Sequence, residues 1–270
     1  MATTYVEKLR WTAVDGLTLV GRAVMFIRRA PGELIGAIIF PALMVLMFGY
    51  VFGSAIGVPG GGNYREYLMP GLYAMIAFTA VMSTTMTVAT DAARGVMDRF
   101  RSMPVARAAV PLGWTGSDVL LGLVGTVMMV ACGLIVGWRA HHGVASTLAA
   151  FGLIVLLRYA LSWVGVFLGL VVRNEETADR MIPLVFPVSM VSNSFVPTGG
   201  MPGWLRAIAD WNPVSALVAA NRQLFGNPGA RLPDPPWPVA HPVTAVLLWT
   251  AGLLLIFVPL SVRAYRRKGR

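Results

Sequence analysis

The sequence predicts an all-α integral membrane protein with six transmembrane helices, an interfacial helix at the N-terminus, one short cytoplasmic helix and short extracellular helices between spans 5 and 6. Three observations lead there. Of 270 residues, 56% are hydrophobic and only 13% charged, about half the charged fraction usual in a soluble domain, and the mean hydropathy is +0.68. Uncharged runs occupy 34–64, 67–90, 119–138, 181–205 and 235–262, and each reaches the ~20 residues needed to cross a hydrocarbon core. The Lys and Arg residues gather in short clusters between the apolar stretches. This composition excludes a water-soluble enzyme, a disordered tail and a fibrous repeat, and describes one polytopic domain.

Residues 1–33 carry charges throughout, so a cleavable signal peptide is not expected and the first span stays in the protein. Leu17, Val20, Val24 and Ile27 recur there at helical spacing, with Arg22, Arg28 and Arg29 at other positions. That is the pattern of an amphipathic helix in the cytoplasmic interface, its arginines near anionic head groups; a solvated linking helix is the alternative. Pro31 and Gly32 end it. Spans are then expected at 34–56, 67–90, 114–137, 147–172, 181–199 and 241–262, dividing the chain into an interfacial segment 1–33 and a transmembrane domain 34–270.

Six spans put both termini on one side. Of 22 Lys and Arg residues, 16 flank that side and 5 the other, with Arg158 inside span 4. The positive-inside rule makes the richer side cytoplasmic, as expected for a multi-pass protein of the cell (inner or plasma) membrane. Without the fourth span the cluster Arg263, Arg266, Arg267, Lys268 and Arg270 would face outward. A guanidinium at the depth of Arg158 costs on the order of 3 kcal/mol on insertion scales. It is expected either as a structural Arg, snorkelling or paired with carbonyls, or as a polar wall of a pathway. Asp118 is the nearest acidic residue in depth, with an offset that leaves direct pairing open.

Between spans 2 and 3, Asp91, Arg94, Asp98, Arg99 and Arg101 take polar positions, Met97 and Phe100 stand three apart, and Pro104 is a stop signal. The segment reads as a short amphipathic helix, either an interface-hugging loop or a docking surface for a cytoplasmic partner. After span 5, Pro202, Trp204 and Leu205 begin one short helix. Asn212 and Pro213 form an N-cap and first-turn pair for a second that runs to Phe225 and ends on Gly226. This second helix is too short and polar to span and should lie at or dip into the outer leaflet. Pro-rich residues 233–238 then lead in extended form to span 6.

Polar residues cluster in two spans. Thr79, Ser83 and Thr87 recur every four residues and share one face of span 2, and span 5 carries Ser189, Ser192, Asn193 and Ser194 beside Phe186 and Met190. Back-bonding of hydroxyls to the helix or tight helix packing would account for the Ser and Thr residues. Asn193 has four hydrogen-bonding sites that lipid cannot satisfy, so a subunit interface or cavity is expected around it, with Phe186 and Met190 as adaptable apolar contacts. These residues are the candidate substrate pathway.

Several chemistries have no residues to carry them. Lys8 and Lys268 are the only lysines and neither ends a G-x-x-x-x-G-K pattern, so the chain is not expected to hydrolyse ATP by itself. His141, His142 and His241 lack metal-ligand spacing, Cys132 is alone and forms no intrachain disulfide, and no G-x-S-G nucleophile occurs. The basic residues are too scattered for a nucleic-acid surface. Intramembrane ionisable residues are too few for a proton relay, which favours a permease powered by another protein over secondary transport. No catalytic, cofactor-binding or metal residue is expected in this chain.

The order of short motifs resembles the type 2 ATP-binding cassette exporter permeases, within them the daunorubicin and doxorubicin resistance type of membrane subunit. The resemblance covers nearly the whole chain. It rests on RAP at 29–31, YVFGSAI at 50–56, YLMPG at 67–71, NSFVP at 193–197, MPGWL at 201–205 and Asn212 with Pro213 followed by Arg222. The loop residues Asp91, Gly95, Asp98, Arg101, Met103 and Pro104 look like the family's acidic, glycine, acidic, threonine-proline signature, with Asp where Glu is common and Met103 in place of Thr. The resemblance implies a six-span half-transporter that pairs with a second membrane subunit, itself or a relative. It further implies two separate ATPase subunits that hold ATP and Mg, spans 2 and 5 near the central pathway, and a coupling helix in the first cytoplasmic loop, carrying Asp91, Arg94, Met97, Asp98, Phe100, Arg101 and Pro104. The expected function is export of an amphipathic or hydrophobic, drug-like compound. A permease for a glycolipid or lipid-linked polysaccharide and a non-pumping membrane immunity or scaffold protein are the alternatives.

Overall fold

The computed structural model describes residues 39, 42–51, 63–97, 109–172, 174–229 and 235–267, with the side chains of 181–186 and 188 outside that description. Every regular element among the described residues is helical. Helix α1, Ala42–Val51, closes in a π-helical turn, Met47–Val51. It is followed by α2 (Tyr64–Ala93), α3 (Ala109–Val136), α4 (Val144–Val171) and α5 (Glu175–Met190). A short 3-10 turn, Thr198–Gly200, leads to α6 (Gly203–Asp210), α7 (Pro213–Phe225), the single turn α8 (Trp237–Ala240) and α9 (Pro242–Arg267).

Four helices among the described residues, α2, α3, α4 and α9, are long and apolar enough to cross a membrane. They correspond to the second, third, fourth and sixth expected spans. They extend past the apolar stretches because helical hydrogen bonds continue into the flanking polar turn; α2, for example, starts where the Asn63 side chain accepts from the Arg65 amide. The expected span 181–199 takes a different form. Helix α5 starts earlier, on an Asn174 cap with Glu175 and Glu176 in its first turn, where negative charge favours the helix N-terminus. It stops at Met190, and the Ser192 hydroxyl then binds the Ser189 carbonyl at 2.7 Å, the local competition with the backbone that Ser offers. Of the expected first span, only 39 and 42–51 are described, and the interfacial segment 1–33 lies outside the described residues.

Helices α2 and α4 run parallel as the buried pair, and α3 lies antiparallel beside them. Two glycines of α4 set how closely α2 approaches. A Cβ on Gly165 would meet the Val81 carbonyl at 2.7 Å, and one on Gly169 the Thr85 carbonyl at 2.7 Å. This is the small-xxx-small spacing that lets membrane helices touch backbone to backbone, and Thr85 Oγ1 donates to the Gly165 carbonyl across the contact at 3.2 Å. Helix α9 packs along α4, where Ser261 Oγ donates to the Trp163 carbonyl. Its outward residues Leu247, Leu248, Leu255 and Ile256 are exposed, as are Leu121, Leu123 and Val127 of α3, the surface expected of helices facing lipid.

The two ends of the bundle are closed differently. Where α2, α4 and α9 begin, Tyr73, Trp138, Phe151 and Phe225 pack with ring centroids 5.1–5.9 Å apart. These rings bind the C-terminal end of α7 into the core. Helix α7 keeps its expected caps: Asn212 accepts from the Val214 amide, Pro213 opens the first turn and Gly226 ends the helix at φ 72°, a left-handed conformation that glycine adopts freely. Of its two expected positions, at or dipping into the leaflet, the structure shows a helix buried among the ends of α2, α4 and α9. At the opposite end, Val88, Met97, Val110, Trp114, Val166, Leu170 and Tyr265 form a separate apolar cluster.

Candidate functional site

The interior carries a charged site at the junction of α2, α3 and α4. Arg158 Nη2 donates to Asp118 Oδ1 at 2.8 Å, with side-chain exposures of 6% and 5%. Its Nε donates to the Asp118 carbonyl at 3.2 Å, and Nη1 to the Ile76 carbonyl at 2.5 Å and Thr79 Oγ1 at 3.3 Å. Ser83 Oγ donates to the same carboxylate oxygen as Arg158. Gly122 makes room for the guanidinium, since a Cβ there would lie 1.9 Å from Arg158 Nε. A buried cation is tolerable only when paired and hydrogen-bonded, and here a carboxylate and two carbonyls satisfy it. The direct pair left open by depth is formed.

The candidate stripe of α2 lies at the edge of this site. Thr79 is half-buried, whereas Ser83 and Thr87 are exposed. Thr79 and Thr87 also return their hydroxyls to the Ile76 and Ser83 carbonyls at 2.7 and 2.8 Å. The α5 set is elsewhere. Ser189 and Asn193 are buried and Met190 is half-buried, while the Phe186 side chain lies outside the described residues. Asn193 stands level with Tyr67, whose hydroxyl donates to the Asn193 carbonyl. Tyr67 precedes Thr79 by 12 positions, ~18 Å along a helix. The two groups of candidate residues are therefore not drawn into one cluster within this chain.

Asn193 instead belongs to a polar knot around Arg222, a residue the sequence offered only as part of a motif, without a role. Arg222, 4% exposed, donates to the carbonyls of Tyr67 (3.1 and 3.0 Å), Asn193 (3.0 Å) and Ser194 (3.3 Å). Its guanidinium lies 3.6 Å from the Tyr67 ring centroid, close enough for a cation–π attraction. Ser215 completes the knot: its hydroxyl oxygen accepts from the Asn193 backbone N–H at 3.0 Å and its carbonyl accepts from Asn193 Nδ2 at 3.3 Å. Gly71 lets this chain reach α2, because a Cβ there would meet the Ser194 carbonyl at 2.3 Å. One signal was readable: Arg222 follows Val218 by four residues and precedes Phe225 by three, which puts it on the apolar side of its helix. Asn193 Oδ1 has no hydrogen-bond partner among the described residues.

At the other end, the segment expected to dock a partner is divided. Asp91 and Arg94 belong to the last turn and C-cap of α2, and Asp91 accepts from Trp114 Nε1 at 2.9 Å. Gly95 follows in a left-handed turn at φ 67°. Met97 is buried in the apolar cluster of its own chain and is not on an outward face; the cluster offers it more apolar contact than solvent does. Asp98, Phe100, Arg101 and Pro104 lie outside the described residues. Thr90 Oγ1 donates to Glu175 at 2.8 Å, tying the end of α2 to the start of α5.

Comparison with known proteins places this architecture. Residues 16–225 match the profile of the ABC-2 type transporter family. The chain is 33% identical over 262 residues to the daunorubicin resistance ABC transporter permease protein DrrB1 of Streptomyces coeruleorubidus, covering 96% of this chain and 89% of the relative. It is 27% identical over 223 residues to the doxorubicin resistance ABC transporter permease protein DrrB of Mycobacterium tuberculosis, covering 81% of this chain and 74% of that protein.

Proposed function

The chain belongs to the ABC-2 type transporter family, and from that premise we propose that it is the membrane subunit of an exporter for an amphipathic or hydrophobic, drug-like compound. ATP is hydrolysed on two copies of a separate cytoplasmic ATPase subunit, and a second membrane subunit, itself or a related permease, completes the pathway. In this reading the chain crosses the cell membrane six times with both termini cytoplasmic. Residues 34–56 supply the first span, and α5 with the turns after it supplies the fifth.

The observation that carries the reading is the open face of α2. Where α3 and α9 present leucines, isoleucine and valine outward, α2 presents Ser83 and Thr87, and Ser83 rests on the buried Asp118 and Arg158 pair. A face turned to lipid gains nothing from such hydroxyls; a wall of an intermittently hydrated passage does. Closure of the ATPase subunits would act on the segment after Arg94, and α2, continuous from Tyr64 to Ala93, would transmit the movement along its length.

The test is co-expression and co-purification with a candidate ATP-binding cassette ATPase subunit, followed by ATP hydrolysis in liposomes with candidate cargo. Stimulation by amphipathic compounds is expected. With Cys132→Ala as background, cysteines replacing Ser83 and Thr87 should react with a water-soluble thiol reagent at a rate that nucleotide changes. Inertness of both positions in every nucleotide state would remove this face from the pathway, and the lack of any associating ATPase would remove the pump.

A further inference from the structure

Helix α6 is turned the wrong way round for water. Trp204 is 69% exposed, Ile208 56% and Trp211 57%, and their spacing of four and three puts them on one face, with exposed Ala207 between them. The charged residues point the other way. Asp210 is buried and accepts from Thr198 Oγ1 at 2.8 Å and from Arg206 Nε at 3.4 Å, and Ala209 is buried beside it. A short helix on a water-soluble surface buries its apolar stripe and exposes its charges; this one does the reverse.

We propose that the Trp204, Ile208 and Trp211 face seats α6 in the lipid head-group and acyl boundary, so that α6 is an interfacial anchor for the buried helix that follows it. Position supports lipid as the occupant. Helix α6 leads through Trp211 and Asn212 directly into α7, which is packed among the ends of α2, α4 and α9. That places α6, whose main contacts among the described residues are with α7 and the 3-10 turn, at the outer edge of the end where those helices begin. Trp237, 45% exposed, stands at the same end just before α9, so tryptophans gather where aromatic belts form at membrane surfaces. Area argues against a protein partner. Three side chains of this size offer a few hundred Å2, short of the ~800 Å2 that each partner buries in a stable complex.

The experiment uses the full chain with Cys132→Ala, reconstituted in phosphatidylcholine and phosphatidylglycerol vesicles, carrying one nitroxide label at a time on Trp204→Cys, Ile208→Cys or Trp211→Cys. Accessibility to oxygen, which partitions into lipid, is compared with accessibility to a nickel chelate, which stays in water. Leu255→Cys, in the middle of α9, gives the lipid reference, and Glu176→Cys, in the exposed first turn of α5, the aqueous one. An oxygen-to-nickel ratio severalfold above the Glu176 reference at all three positions is expected. A ratio equal to that reference at any of them would mean water covers the face, and exclusion of both reagents would mean a protein surface, such as a second copy, covers it; either result overturns the proposal.

Discussion

Arg158 and Asp118 form, among the described residues, the only ion pair buried on both sides, at 2.8 Å between Nη2 and Oδ1. They come from antiparallel helices, Arg158 14 residues after the start of α4 and Asp118 18 residues before the end of α3. The remaining offset of four residues is ~6 Å at 1.5 Å per residue, which the length of an arginine side chain spans.

Removing one member of this pair should cost more than removing both. Arg158→Leu or Asp118→Leu leaves the other polar group buried, a loss on the order of 3–5 kcal/mol, whereas the two combined leave no charge stranded. Thermal unfolding of the purified variants in detergent, read as a double-mutant cycle, should give a double variant more stable than the sum of the singles. Strict additivity would mean that the two side chains do not act on each other.

Gly122→Ala should reproduce the Arg158→Leu phenotype, because the added Cβ takes the place of the guanidinium at 1.9 Å. Gly125→Ala is the control, since a Cβ there meets only Ile76 at 3.9 Å. Destabilisation by the first and not the second is expected in the same unfolding assay, with no further loss when Gly122→Ala is added to Arg158→Leu.

Arg222→Gln should release the chain after α5 from α2. Each hydrogen bond to a charged donor contributes about 1.5–3 kcal/mol, and Arg222 spreads its own over three carbonyls on two segments. Lysine, a point charge without the planar fork, should restore little. The measurement is thiol labelling of Ser194→Cys in the Cys132→Ala background. Ser194 is fully buried, so labelling should be slow with Arg222 in place and fast with Arg222→Gln or Arg222→Lys.

Met97 and Arg94 should separate stability from coupling. Met97→Ala empties part of the cluster around Trp114 and Tyr265 and should destabilise the isolated permease by about 2–5 kcal/mol. Arg94 is exposed at the C-cap of α2, and Arg94→Glu should leave the melting temperature unchanged while weakening co-purification of the ATPase. A Met97→Ala protein with unaltered stability would return Met97 to the partner-facing side.

What the sequence determined by itself follows from properties that are local or additive along the chain. Four spans and their approximate bounds come from runs of apolar residues, because hydrophobic transfer sums residue by residue. The caps of α7, Asn212 with Pro213 at one end and Gly226 at the other, come from rules that act within a single turn. The family was legible for a related reason, as short motifs keep their order. What the tertiary structure decided concerns partners distant in sequence. Neither the placing of Asp118 against Arg158 nor the choice of Tyr67, Asn193 and Ser194 for Arg222 can be read from spacing, since each needs two or three helices at a definite height and rotation. Met97 shows the same limit, because an apolar residue on an amphipathic turn fits a partner's groove and its own chain's core equally well by pattern. The expected fifth span shows it too: apolar composition continued past Met190, but Ser192 turned back onto the Ser189 carbonyl while Asn193 and Ser194 met Ser215 and Arg222 of α7, and the helix ended. Composition measures how much a segment prefers lipid to water, whereas packing decides which polar groups meet, and a membrane interior penalises every polar group left unmet.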